Sequence, residues 1–237
     1  MKLKYINDAI SNAKSQDYLA SLPPSFLTVN IQASHAELDG EDGDRTSARI
    51  EHFTSPLQTN LMDQCLKLFE ENMGDLYRLS SWGLDMEEKR NEFTHDDARF
   101  LIILSEGSTL STSDIKTHDN KAQSSEPTVL GFAHYRYEHD DEEDPTAPVS
   151  YLYELQIQST QQKAGLGKRL MNIIELLALK SHMHKVMLTV FKVNTKAMGF
   201  YLNKMKYEVD ECSPSNFEGE ENENCDYEIL SKSLVVR

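Results

Sequence analysis

The amino-acid sequence predicts a mixed α/β domain, one sheet with helices on both sides, and three observations carry that prediction. Apolar residues recur at helical spacing over Leu57 to Leu79 and switch to strand-like runs over Arg99 to Leu104 and Thr128 to Tyr137. Residues 149 to 191 read as strand, helix, strand. The length of 237 residues allows one well-cored domain with appendages and argues against several domains.

Taken in order, Ile6, Ala9, Ile10 and Ala13 lie at helical spacing, while Pro23, Pro24 and the acidic Gly40/Gly43 stretch read as loop. Residues 1 to 44 are therefore expected to be a helix and linker packed on a domain spanning 45 to 237. Arg45 to Phe53 reads as a strand. Leu57 to Leu79 is helical, with Leu57, Leu61, Cys65, Leu68 and Phe69 on one stripe, and Asp85 can cap a second helix ending near Phe93. Arg99 to Leu104 and Thr128 to Tyr137 read as strands. Between them, residues 106 to 127 are rich in Ser, Thr, Asp and Lys without apolar period, the pattern of a flexible insertion.

In Val149 to Gln158 strict alternation puts Val149, Tyr151, Tyr153, Leu155 and Ile157 on one face and Glu154 on the other. Gly165 to Ser181 is helical, since Leu166, Leu170, Ile173, Ile174 and Leu177 follow its period. Strand Val186 to Phe191, helix Thr195 to Met205, and strands Tyr207 to Cys212 and Cys225 to Ser231 complete the order.

Charge narrows the function. Twenty-four Lys and Arg against 39 Asp and Glu give a formal −15, which disfavours binding to nucleic-acid phosphates and suits a cationic partner. Four acids fall in residues 39 to 44, six in 138 to 144 and six in 218 to 228, none of these runs holding a Lys or Arg. Residues 160 to 206 are the reverse, with nine basic residues and the single acid Glu175. Three separated cysteines, Cys65, Cys212 and Cys225, fit reduced thiols, and no apolar run has the length of a membrane span. A metal is not expected, because His182 and His184 lack a third ligand of suitable spacing.

The turn Gln162-Lys163-Ala164-Gly165-Leu166-Gly167-Lys168 joins a strand to an amphipathic helix, so backbone N–H groups and the positive helix end converge where an anion can sit. It is either an ordinary strand-to-helix turn or a phosphate cradle, and the surrounding basic residues favour the latter. With Asn194, Ala197, Phe200, Tyr201 and Tyr207 after it, this segment resembles the acetyl-CoA site of the GNAT acetyltransferase superfamily, whose signature is Q/R-x-x-G-x-G/A. Further motifs are similar to those of the histone-directed N-alpha-acetyltransferases of the D type. They are Tyr77-x4-Trp82-Gly83, Tyr151-Leu152-Tyr153-Glu154-Leu155-Gln156, Lys185 to Lys192 followed by Asn194, Ser213-Pro214-Ser215, and Cys225 to Leu230.

The resemblance covers roughly residues 45 to 235 and implies a central, mostly antiparallel twisted sheet. It implies acetyl-CoA as co-substrate, its pantetheine arm beside the backbone of Leu155, Gln156 and Ile157, its pyrophosphate on Gln162 to Lys168, and Asn194 bonded to the arm. It makes Glu154 the base, with Tyr153 in the catalytic group and Tyr201 where many members place a general acid; close relatives carry Phe there. Tyr77, Trp82, Glu138, Tyr151, Tyr153, Thr189, Cys212 and Tyr227 are assigned to the peptide. The implied substrates are the tails of histones four and two-A, beginning Ser-Gly-Arg-Gly, whose Arg calls for carboxylates such as Glu138. A monomer in nucleus and cytoplasm is expected, although only Lys2, Lys4 and Lys14 stand where a basic N-terminal extension would serve nuclear import. Two rivals remain: a GNAT enzyme acting on lysine or small amines, and a non-catalytic acidic module that binds histones.

Overall fold

In the computed structural model a single twisted sheet runs through the chain, with strand order β1-β2-β3-β4-β5-β6-β8-β7 among the described residues. Those residues are 2–16, 19–32, 45–105, 127–141, 147–219 and 224–234. The acidic run 39–44, nearly all of the expected insertion 106–127, and the acids at 142–144 and 220–223 lie outside them.

Antiparallel pairing links β1 (Thr28–Gln32), β2 (Arg45–Thr54), β3 (Arg99–Ser105), β4 (Val129–His139) and β5 (Pro148–Ile157) in sequence order. Then β5 pairs in parallel with β6 (Lys185–Phe191), and β6 pairs antiparallel with β8 (Tyr227–Ser233), which carries the short β7 (Glu208–Val209). The sheet is thus mostly antiparallel with one parallel junction, and that junction falls at the site. Strand β1 lies in a stretch expected to be linker. Pro23 and Pro24 start a short helix α2 (Pro24–Leu27), after which Val29 and Ile31 bury against β2.

Two layers cover the sheet. On one face α1 (Lys2–Ser15) lays Ile6, Ile10 and Ala13 beside Leu170, Ile173, Ile174 and Leu177 of α5 (Leu166–Lys180) over Leu101, Ala133, Tyr135 and Leu188. On the other, α3 (Thr59–Leu79) and α4 (Met86–Phe93) bury Leu61, Cys65, Leu68, Phe69 and Phe93 against Phe100, Ile102 and Phe132. The apolar stripe of α3 is what seats it, since packing of one face supplies most helix stability in a folded domain. Asp85 caps α4, accepting from the Glu87 and Glu88 amides at 2.8 and 3.0 Å. The expected single helix from Thr195 to Met205 is instead α6 (Thr195–Gly199) followed by a wider π-type turn over Phe200–Met205, which turns Tyr201 inward.

Candidate active site

The site is made by an irregularity in β5. Along the β4–β5 ladder Leu152 faces Tyr135 and Glu154 faces His134, so Tyr153 is an extra residue with no opposite number, a β-bulge. One inserted residue reverses side-chain phase, and this corrects the strict alternation read from sequence. Tyr151, Tyr153 and Glu154 all turn toward α3 and α4, whereas Leu155 and Ile157 join the layer under α5. Glu154 therefore shares a face with the tyrosines rather than opposing them.

Pairing between β5 and β6 stops at the residue before the bulge. It runs from Val149 with Lys185 to Leu152 with Leu188, and the two strands then part. The gap between them opens into a cavity of about 300 Å³ lined by Tyr77, Trp82, Lys89, Tyr151 to Gln156, Thr189 to Phe191, Asn194 and Tyr201. At its far end the Ile157 carbonyl accepts from Asn72 Nδ2 at 3.1 Å and from Gln162 Nε2 at 3.2 Å, tying β5 to α3 and to the glycine turn.

Glu154 is 4 % exposed, and both of its oxygens are held. Oε1 accepts from Lys89 Nζ at 2.9 Å and Oε2 from Gln156 Nε2 at 2.8 Å. Burial raises the Glu154 pKa above the ordinary carboxylate value; Lys89 opposes the rise without cancelling it. Lys89 also donates to Glu92 Oε1 and Oε2 at 3.1 and 3.0 Å. Burial alone would lower the Lys89 pKa, but Glu154 and Glu92 together push it up, so it stays an ammonium. His134, stacked between Phe100 and Tyr153 with ring centroids 4.8 and 4.9 Å away, is pushed down to about 4 by burial and is neutral near pH 7.

Around this centre the aromatic residues form a wall. Tyr77, Trp82 and Phe191 meet edge-on at 5.1 to 6.1 Å, and Trp82 reaches Tyr227 at 5.1 Å. The Tyr151 hydroxyl bonds Thr189 Oγ1, and the Tyr153 hydroxyl donates to Glu138 Oε1 at 2.8 Å. Glu138, Cys212 and Tyr227 do not line the cavity itself. Tyr227 stands behind Trp82, and Cys212 sits on the Asp210 turn, where burial pushes its thiol up to about 12. Tyr201 does line the cavity; burial, then the Glu154 charge, drives its pKa up, so its hydroxyl keeps its proton.

The backbone fits a phosphate-bearing cofactor. Gly165 holds φ +85° at the N-cap of α5 and offers no side-chain cap, so the first-turn amides of α5 have no capping acceptor. A Cβ there would meet nothing within 4 Å, so the surface over the turn is open. Lys163 shares the left-handed conformation at φ +66°, and Lys168 lies in the first turn of the helix. Asn194 spends its side-chain oxygen capping α6 through the Ala197 amide at 3.2 Å, while its Nδ2 points to Met73 Sδ across the cavity. Beyond Leu152 the β6-facing edge of β5 carries no ladder partner, which suits an extended arm running beside Leu155, Gln156 and Ile157. Acetyl-CoA, when bound, supplies the acetyl thioester.

The sequence missed Lys89, Glu92, Asn72 and Phe191. Lys89 sits in a charged octapeptide, Met86 to Phe93, whose pattern reads as an exposed helix face; nothing in it marks one lysine as buried. The Asn72 side chain donates to Gln156 Oε1 at 3.0 Å, a contact across 84 positions that spacing cannot reveal.

Residues 68–207 match the model of the acetyltransferase (GNAT) family. The chain belongs to that family, and with this fold it is an acetyl-CoA-dependent acetyltransferase. Among solved structures it is similar to Ard1 from Thermoplasma volcanium, with 12 % identity over 80 % of this chain and 99 % of that one, TM-score 0.51. It is similar also to aminoglycoside 6'-acetyltransferase type Ii, with 15 % identity over 79 % and 98 %, TM-score 0.50. A NatC complex bound to Gag peptide and CoA matches at 14 % identity over 78 % and 99 %, TM-score 0.48.

Proposed function

We propose that the protein acetylates the N-terminal α-amine of basic polypeptide tails, with histone tails beginning Ser-Gly-Arg-Gly as the substrate its motifs resemble. The observation that carries this reading is the charge of the partly buried cluster at and beside the cavity. Lys89 and Arg136 stand against Glu92, Glu138 and Glu154, one carboxylate in excess, and Glu154 lines the cavity. An incoming ammonium completes that balance, and Glu154 is the group beside it that can take a proton. Glu154 takes the first of the two protons the ammonium loses; the amine nitrogen then attacks the thioester carbonyl carbon, the C–S bond breaks, and the second N–H proton goes to the departing thiolate. A protonated Tyr201 can relay that second proton, giving its own to the thiolate and taking the one released from nitrogen, so that CoA leaves as the thiol. Glu138, anchored through the Tyr153 hydroxyl, is the carboxylate we assign to Arg at the third position. The similarity to Ard1 supports the fold of such an enzyme and leaves substrate choice to these residues.

The test is CoA release measured against a panel of peptides: Ser-Gly-Arg-Gly, the same with an acetylated N-terminus and an internal lysine, Ser-Gly-Ala-Gly, and small polyamines. Turnover only with the free α-amine and preference for Arg support the proposal. Turnover on the blocked lysine peptide or the polyamines moves the enzyme to the rival specificity, and tail binding without CoA release makes it a binding module.

A further inference from the structure

Among the described residues Lys89 is the one cationic side chain that lines the cavity. A lysine normally buries its stem and keeps its head in water, but here the side chain is 8 % exposed and the head is fixed on all sides. Nζ is 2.9 Å from Glu154 Oε1, within 3.1 Å of both Glu92 oxygens, 3.4 Å from the Tyr77 hydroxyl and 4.8 Å from the centre of the Phe69 ring. α4 delivers this head, and the helix begins at the Asp85 cap, so the cap sets where the charge lands.

We propose that Lys89 is a positioning residue for acetyl transfer, holding Glu154 ionised and aimed so that the acceptor amine meets a carboxylate and not a carboxylic acid. The proposal rests on Glu154 being the base. Its physical ground is the competition at a buried carboxylate: withdrawal from water favours the neutral form, and an opposite charge at hydrogen-bond distance favours the ionised one. The other titratable groups facing Glu154 cannot do this. Glu92, also from α4, adds negative charge; Tyr77 from α3 and Tyr201 after α6 are neutral; His134 from β4 is neutral near pH 7. Arg136 from β4 points elsewhere, donating to the Glu92 carbonyl and lying 3.9 Å from Glu138. Gln156 fixes the second oxygen but carries no charge.

Two readouts on the full chain test this. One is the carboxyl ¹³C titration of glutamate-labelled protein without substrate, with Glu154 assigned by its loss in Glu154→Gln. The other is kcat/KM for the best peptide of the panel from pH 5.5 to 9. Lys89→Met and Lys89→Gln are expected to raise the Glu154 midpoint by about one to three pH units and to move the acid limb of kcat/KM upward by the same amount. Lys89→Arg, which restores the charge, is expected to bring both back toward wild type. Unaltered near-ultraviolet circular dichroism and acetyl-CoA affinity show that the variants are folded. If the Glu154 titration stays put in either folded neutral variant, the proposal is overturned while Glu154 can remain the base. If the titration moves and the rate profile does not, Glu154 is not the base, and both the mechanism and the role of Lys89 fall together.

Discussion

The Tyr153 hydroxyl donates to Glu138 Oε1 at 2.8 Å, joining the extra residue of β5 to the carboxylate nearest the C-terminal end of β4. The pair is buttressed by Arg136, which lies over the Tyr153 ring at 4.3 Å and 3.9 Å from Glu138. Burial raises the Glu138 pKa, with Tyr153 and Arg136 acting against the rise. Glu138→Gln is therefore expected to reduce kcat/KM for Ser-Gly-Arg-Gly by about 10- to 100-fold, the value of one hydrogen-bonded charge, and to leave Ser-Gly-Ala-Gly within about threefold. Competition kinetics with both peptides at fixed salt measures it. Equal losses on the two peptides count against Glu138 as the Arg partner.

Glu154→Gln removes the proton acceptor with little change of shape and is expected to lower kcat by about 10²- to 10⁴-fold while acetyl-CoA affinity holds. In the wild type the sign follows from burial. The reaction needs the carboxylate, so kcat/KM falls as pH drops through a Glu154 pKa that lies above the usual glutamate range. Full turnover of Glu154→Gln from pH 6 to 9 is the outcome that removes Glu154 from the mechanism.

Gly165→Glu combines two penalties at the head of α5. A side chain at φ +85° strains the backbone by about 1–2 kcal/mol, and a carboxylate there repels pyrophosphate. Gly165→Ala carries the first penalty alone. Calorimetric titration with CoA is expected to show a loss of 10-fold or more for Glu relative to Ala; equal affinities would falsify the phosphate assignment.

Away from the site, Asp210 anchors the turn that carries Cys212. Its Oδ2 accepts from Lys185 Nζ at 2.8 Å and its Oδ1 from the Cys212 amide at 3.1 Å. Burial pushes the pKa up, but these bonds and Ser231 outweigh it and bring it down from 3.8 to about 2. A depressed carboxylate stabilises the fold above its unfolded value and loses that contribution as pH falls through the folded one. Asp210→Asn is thus expected to be less stable by about 1–2 kcal/mol at pH 7, with the difference closing between about pH 4 and pH 2. Urea titrations at several pH values give the comparison, and a difference independent of pH rejects the ion-pair account.

Helices α3 and α5 were legible because each carries a single period over several turns, α4 because the donors of its Asp85 cap are local, and strands β3 to β6 because each is a short apolar-rich run bounded by loop-like or helical stretches. Two features were not. Strand β1 follows two prolines and has only Val29 and Ile31 as inward apolar residues, too short an alternation to separate from linker. The bulge at Tyr153 is invisible in a pattern whose residues are acceptable on either face. It takes the register with β4 to show that Leu152 and Leu155 lie on the same side. The candidate site was legible as a set of residue types in ordered motifs, whereas Lys89 acquires its meaning only from a fold that brings positions 65 apart into contact.

The extra residue in β5 has an implication for how loss of function can hide. A chain lacking Tyr153 alone would pair β5 with β4 without interruption, Leu152 opposite Tyr135 and Glu154 opposite His134 as they stand now. Every pair of the β4–β5 ladder would be kept, so secondary structure would be a poor witness to the change, even though the Tyr153 ring would no longer cover His134 or bond Glu138. What such a chain gives up is the kink after which β5 and β6 part, and with it the edge beside which a thioester can lie. The strand is one residue longer than its pairing with β4 requires, and the open edge begins at that residue.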